Sequence, residues 1–226
     1  NTKFSMPGVL ASAPDETECL VLEFGARYRG DLHLMGGVAK PSVAIITKLG
    51  WAHQGSMIGQ AGIVATKGEL VEDLPASGTA VISTDDPLAQ GLPGRTTATV
   101  LTYGSVGDVR ATGVRLSGDL SLSLSVATPW GEADLRPAVR GEHHVTNVLA
   151  SLAGALAVGV PLDAAVAGIE QAEPPARRMQ MHRIDRDILV IDDSFNATLD
   201  SVLGALEALA AIDAPDRLAV MGPLVD

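Results

Sequence analysis

Residues 43–83, VAIITKLGWAHQGSMIGQAGIVATKGELVEDLPASGTAVIS, decide the fold of this 226-residue chain. The runs at 43–47 and 79–83 are brief, rich in Val and Ile, and bounded by Pro, Gly or Asp, which predicts strands buried on both faces. Between them Ile63, Val64, Leu70 and Val71 recur at helical spacing, predicting a helix over 57–74. Strand, helix and strand in that order make a parallel β-α-β unit. With a further apolar run at 19–24, CLVLEF, and a helical pattern at 31–39, the first half reads as a three-layer α/β core around a mainly parallel sheet.

Past residue 97 the texture changes. Leu120, Leu122, Leu124 and Val126 alternate with Asp119, Ser121, Ser123 and Ser125, and Pro129-Trp130-Gly131-Glu132 supplies a turn, so 109–139 reads as an antiparallel meander. From 144 to 158 the period lengthens, with Val145, Val148, Leu149, Leu152 and Leu156 on one helical face before Gly159 and Pro161 stop it. Pro174-Pro175 is the predicted boundary, dividing 1–173 from 174–226. Beyond it come a strand pair across 179–191, a helix over 199–211 and a strand at 217–221, the opening of a second α/β unit. A unit that small cannot cover both faces of its sheet, and the first residue is Asn1 rather than Met, so the sequence is expected to be part of a longer protein.

Charge narrows the partners. The formal net charge is −11 and only four lysines are present, which argues against nucleic acid or an anionic membrane surface as the main partner. With 46% hydrophobic but only 3% aromatic residues, the core must be filled by Ala, Val, Leu and Ile. Cys19 is the sole cysteine, so no internal disulfide forms; it reads as a small apolar strand residue in a reducing, cytoplasmic setting. No apolar run reaches the roughly 18 residues of a membrane span, and the start NTKFSMPG carries no signal pattern.

Polar residues at the carboxyl ends of parallel strands are the first candidates for chemistry. Glu23 and His53 sit at or just past two such ends; together they either ligate a divalent ion, or Glu23 is a loop cap. Lys67 has Ile63, Val64, Leu70 and Val71 as its helical neighbours, which places an amine on an apolar stripe. Desolvation there favours the neutral amine, which carbon dioxide can convert to a carbamate, the alternative being a snorkelling lysine at the stripe's edge. Asp192-Asp193-Ser194 follows a strand and precedes a helix, so one carboxylate either caps that helix or both are solvated, leaving the other for a ribose or a metal-bound phosphate. Arg177 and Arg178 lie just past the boundary, where a guanidinium either clamps a phosphate or faces solvent. His143, His144 and Asn147 open a helix and are either caps or contacts to a nucleotide base, and Asp85-Asp86 before Pro87 reads as a turn and cap. No phosphate loop G-x-x-x-x-G-K-[ST], G-x-S-x-G elbow or zinc-type cysteine pair occurs in the sequence.

Taken in order, EFGARYRGDL, IITKLGWAH, ATKGEL, STDDP, GEHHVTNVLAS, ARRMQ and DDSFNATLDS strongly resemble the Mur ligase family over nearly the whole chain. The resemblance implies a central ATP-binding domain lacking its phosphate loop (1–173) and the first part of a Rossmann-like C-terminal domain (174–226). It implies Glu23 and His53 as magnesium ligands, Lys67 as a carbamylated lysine that also reaches the metal, Asn147 by the adenine, and Arg178 and Asp193 reaching the nucleotide, with His144 where the family usually has Asn. The activity implied is ATP-driven acyl phosphate formation followed by attack of an amine, with a UDP-MurNAc peptide and D-Ala-D-Ala as substrates, in a cytoplasmic monomer inactive as this segment alone. A folylpolyglutamate synthetase-like or natural-product ligase of the same fold, and a non-catalytic nucleotide-binding module, are the alternatives. Arg27, Tyr28, Arg29, Lys48, Trp51, Glu142 and Pro223 depart from the family pattern.

Overall fold

A computed structural model describes residues 2–50, 59–185 and 188–224, which fall into two compact units, Asn1–Thr102 and Tyr103–Asp226. In the first unit, α1 (Met6–Ala11), α2 (Asp31–Ala39) and α3 (Gly59–Glu72) accompany β1 (Val43–Ile46), β2 (Thr79–Ser83) and the start of β3 (Thr99–Tyr103). The sheet order is β1-β2-β3, and β1 runs parallel to β2 with Val43 opposite Thr79 and Ile46 opposite Ile82. Leu32 and Met35 of α2, Ile63, Leu70 and Val71 of α3, and Ala44, Ile46, Ala80 and Ile82 of the sheet close one core. The βα pattern read from 43–83 is therefore present, and both helix positions agree with it.

Two expected strands are absent. Residues 19–24 run without a ladder partner among the described residues, and Val21 is 88% exposed. Residues 217–221 do the same, with Leu218 and Val220 exposed. An apolar run reports that a segment can be buried; only a neighbouring backbone makes it a strand. Cys19 is accordingly exposed rather than part of a buried strand.

The start of α2 shows how firmly the α2–α3 pair is built. Gly30, at φ +88°, is the N-cap and has no side chain to cap with. Glu69 of α3, only 1% exposed, supplies the missing acceptor: Oε1 takes the Gly30 N–H at 2.7 Å and Oε2 the His33 N–H at 3.4 Å. Glu69→Ala removes both acceptors and leaves a cavity, so it is expected to cost about 3 kcal/mol in denaturant unfolding. A loss under about 0.5 kcal/mol would show that water replaces the carboxylate.

In the second unit β4 (Arg110–Leu116), β5 (Leu122–Thr128) and β6 (Gly131–Leu135) form the antiparallel meander, with Val114 opposite Leu124 and Val126 opposite Ala133. Leu122, Leu124 and Val126 point to the buried face, as alternation requires. Helices α4 (Val145–Ala157), α5 (Leu162–Gln171) and α6 (Leu199–Ala211) follow, with the hairpin β7 (Gln180–Asp185) and β8 (Ile188–Asp192) between α5 and α6. Helix α5 and strand β3 are additions to the sequence reading. The division proposed at 173/174 falls inside this unit, where Leu120, in a left-handed turn at φ +63°, packs with Met179, Ala208 and Ile212. Arg140 pins that turn by donating to Asp119 Oδ2 at 2.8 Å and to the Asp119 carbonyl at 2.7 Å. No helix among the described residues is long and apolar enough to cross a membrane.

Candidate functional site

Candidate residues lie in both units, and those of the second are in contact with one another. In the first, Lys67 is half-buried on α3, and burial pushes its amine below the ordinary lysine range while the Asp86 carboxylate opposes that shift. Asp86 is itself fixed: Oδ1 accepts the Leu88 N–H at 2.9 Å, capping the short 3₁₀ turn Pro87–Ala89, and Oδ2 accepts the Leu49 N–H at 2.7 Å. The expected cap at STDDP is thus present, and it also holds a negative charge toward the lysine.

Glu23 is exposed on the segment 19–24. His53 lies outside the described residues. Among the described residues no group of three or more His, Cys, Asp or Glu could hold a metal. Both Asp86 oxygens already take backbone N–H groups, which leaves that carboxylate poorly placed to bind an ion. Glu23 remains as an exposed oxygen donor, and magnesium commonly takes one or two protein carboxylates and draws the rest of its shell from phosphate and water.

The second unit assembles the other candidates. Gly141, at φ +90°, turns the chain into the 3₁₀ turn Glu142–His144, which leads directly into α4. There the Asn147 amide donates to His144 Nδ1 at 3.3 Å, and the His143 and His144 rings lie 4.2 Å apart, tilted by 43°. Past the Pro-Pro pair, Arg177 (φ +59°) and Met179 (φ +51°) both take left-handed conformations that fold the loop tightly. Asp193 Oδ1 holds this loop through the Met179 N–H at 3.1 Å, and Phe195 donates its N–H to the Arg177 carbonyl at 3.2 Å. Arg178 is left with its guanidinium carbon 4.3 Å above the Phe195 ring. Beside it lies a small cavity of about 250 Å³ lined by Arg140, Arg178, Gln180 and His182.

Helix α6 is not capped by Asp192 or Asp193. Thr198 caps it in a reciprocal pair with Ser201, and Asp192 instead accepts the Ser194 N–H at 3.0 Å. Asp193 is therefore a loop clamp, holding the Met179 N–H through Oδ1. Phe195, as the platform for Arg178, went unnoticed in the sequence; its signal was an aromatic residue two positions after the paired carboxylates.

His144 is pushed down to about 4, first by burial and then by the positive charges of His143 and Arg178. Burial likewise lowers His143, against Asp193 and Glu207, which raise it. Because the unfolded chain takes up a proton near pH 6.5 and the folded His144 does not, stability is complete above pH 6.5 and falls as pH drops toward 4. Urea midpoints between pH 7 and 4.5 are expected to show a loss of about 2 kcal/mol that His144→Asn abolishes. Identical slopes for both proteins would place the proton elsewhere.

Residues 1–155 match the Mur ligase middle domain. The chain is 33% identical over 215 residues to the UDP-N-acetylmuramoyl-tripeptide–D-alanyl-D-alanine ligase of Mycobacterium tuberculosis, covering 94% of this chain and 42% of that protein. Its fold is similar to that of MurF from Acinetobacter baumannii, with a TM-score of 0.89 and 30% identity over 94% of this chain and 47% of that one. It is also similar to that of the Thermotoga maritima MurF ligase in complex with ADP, at a TM-score of 0.81 and 23% identity over 93% of this chain and 49% of that one. The chain spans about half the length of the curated relatives it matches.

Proposed function

This chain belongs to the Mur ligase family, and on that premise we propose that it is the nucleotide-handling part of an ATP-dependent amide ligase of peptidoglycan-precursor synthesis. The donor is a UDP-MurNAc tripeptide, the acceptor is D-alanyl-D-alanine, and the setting is the cytoplasm. The observation that carries this reading is the convergence, within the second unit, of Asn147, His144, Arg178 and Asp193, which come from three separate sequence blocks.

Each residue has a task that its surroundings support. Asn147 offers an amide to a base edge from the first turn of α4. Arg178, held flat on Phe195, presents a fixed positive charge to phosphate oxygens, and a planar guanidinium does this with direction as well as charge. Asp193 keeps the Arg178 loop in register and would offer its carboxylate to a ribose hydroxyl. His144, kept neutral, accepts from Asn147 and adds no competing charge.

In the first unit burial eases loss of one proton from the Lys67 ammonium. The resulting amine adds carbon dioxide, the nitrogen–carbon bond forming as a C=O π bond opens and a second proton leaves to solvent, so that overall a cation becomes an anion. Glu23, His53 and the Lys67 carbamate would hold magnesium together with phosphate oxygens, and the ion would supply charge to offset that on the transferring phosphoryl group. The reaction passes from carboxylate to acyl phosphate to amide, releasing ADP and phosphate.

Mass analysis of the product tests this. With ATP and magnesium, the full-length protein is expected to convert a UDP-MurNAc tripeptide and D-Ala-D-Ala to a product heavier by one dipeptide less water. Turnover of a folate with glutamate instead would assign it to another ligase of the fold.

A further inference from the structure

Helix α3 leaves a stretch of its backbone uncovered by its own side chains just beside Lys67, and an arginine occupies it. Gly68 has no side chain to cover the carbonyls one turn earlier, and the Arg95 guanidinium lies in the space so left. Arg95 Nη1 donates to the Val64 carbonyl at 2.7 Å and Nη2 to the Ala65 carbonyl at 3.2 Å, while Nε pairs with Glu72 Oε1 at 2.7 Å. A Cβ at position 68 would collide with that guanidinium. One side chain thus binds α3 at three points that bracket Lys67, at 64, 65 and 72.

The same β2–β3 connection carries Asp86, whose charge acts on the lysine. Asp86 caps its first 3₁₀ turn and Arg95 ends its second, Leu92–Arg95, while Ala89 and Leu92, both fully buried, pack into the core that contains Ile63, Leu70 and Val71. The connection is therefore a cradle: a tethered carboxylate lies within electrostatic reach of Lys67, apolar residues seat the loop on the core, and a guanidinium grips the helix backbone. We infer that Arg95 is a positioning residue for Lys67, acting through the backbone of α3 by way of the opening that Gly68 provides. A helix turned or shifted by a fraction of its rise would carry the amine away from Asp86, and displacements of about 1 Å at a reacting group cost on the order of 10²-fold in rate. The inference rests on the catalytic role of Lys67 under the proposed function.

Brief acylation of the full-length protein with a small amine-reactive ester, read lysine by lysine by peptide mass spectrometry, tests it alongside steady-state kinetics. Arg95→Ala deletes the grip, and Gly68→Ala displaces it while keeping every functional group. Both are expected to speed labelling of Lys67 roughly ten-fold with Lys3, Lys40 and Lys48 unchanged, and to lower kcat roughly 10- to 100-fold with KM for ATP within about two-fold. Glu72→Gln removes the ion pair but leaves both carbonyl bonds, and is expected to hold both readouts within about two-fold of wild type. Unchanged Lys67 labelling, equal acceleration at every lysine, or unaltered kcat in a protein that Lys67→Met inactivates overturns the inference. If Lys67→Met leaves the ligase active, the proposed role of Lys67 falls, and the labelling pattern still decides whether Arg95 places it.

Discussion

Lys67→Met in the full-length ligase is expected to lower turnover by about 10³-fold or more, with the protein still folded and still binding nucleotide. Methionine matches the length and apolar body of lysine, so the half-buried stem on α3 is conserved and only the amine is lost. Added bicarbonate should not restore the variant, because no nitrogen remains to carry the carbamate. Wild-type enzyme stripped of carbon dioxide should lose activity and regain it when bicarbonate returns. A fall of less than about ten-fold would mean that the amine only covers apolar surface and pairs with Asp86.

Arg178→Ala is the second large effect. The guanidinium has two attachments in the structure, the Phe195 ring below it and the charge field it shares with His144. With the side chain gone, kcat/KM for ATP is expected to fall by about 10²- to 10³-fold, since a fixed cation facing transferring phosphate is worth several kcal/mol. Lysine at this position restores charge but not the flat stack, so Arg178→Lys should recover only part of the loss. An independent sign accompanies the kinetics: the His144 titration, held at about 4 in part by Arg178, should move upward in Arg178→Ala when followed by NMR. If ATP kinetics change while His144 titrates as before, the two residues are not neighbours in solution.

Much of this architecture was legible because burial writes a period into the sequence. Helices α2 and α6 begin and end where the pattern placed them, β2 does so too, and the meander follows from the Leu and Ser alternation. The failures at 19–24 and 217–221 share one cause. Their residues have strand composition, but a strand needs a partner backbone, and composition carries no record of where that partner is. The short helix α5 went unread because Leu162, Ala165, Val166 and Ile169 make only a brief apolar stripe between two prolines, Pro161 and Pro174.

The site divides in the same way. Lys67 stood out as an amine among apolar neighbours, and the paired carboxylates as a polar break after a strand. What could not be read was the support behind them: Glu69 reaching across to α2, Arg95 on the α3 backbone, Phe195 under Arg178. Those contacts join residues up to 39 positions apart, and nothing in local spacing encodes them.

The central claim is tested most directly by measuring ADP release from the full-length protein while omitting one component at a time. Sustained release over many turnovers is expected only when magnesium, a UDP-MurNAc tripeptide and D-Ala-D-Ala are all present, with one amide bond formed for each ADP. ADP release at the same rate without the tripeptide and without the dipeptide would contradict the account.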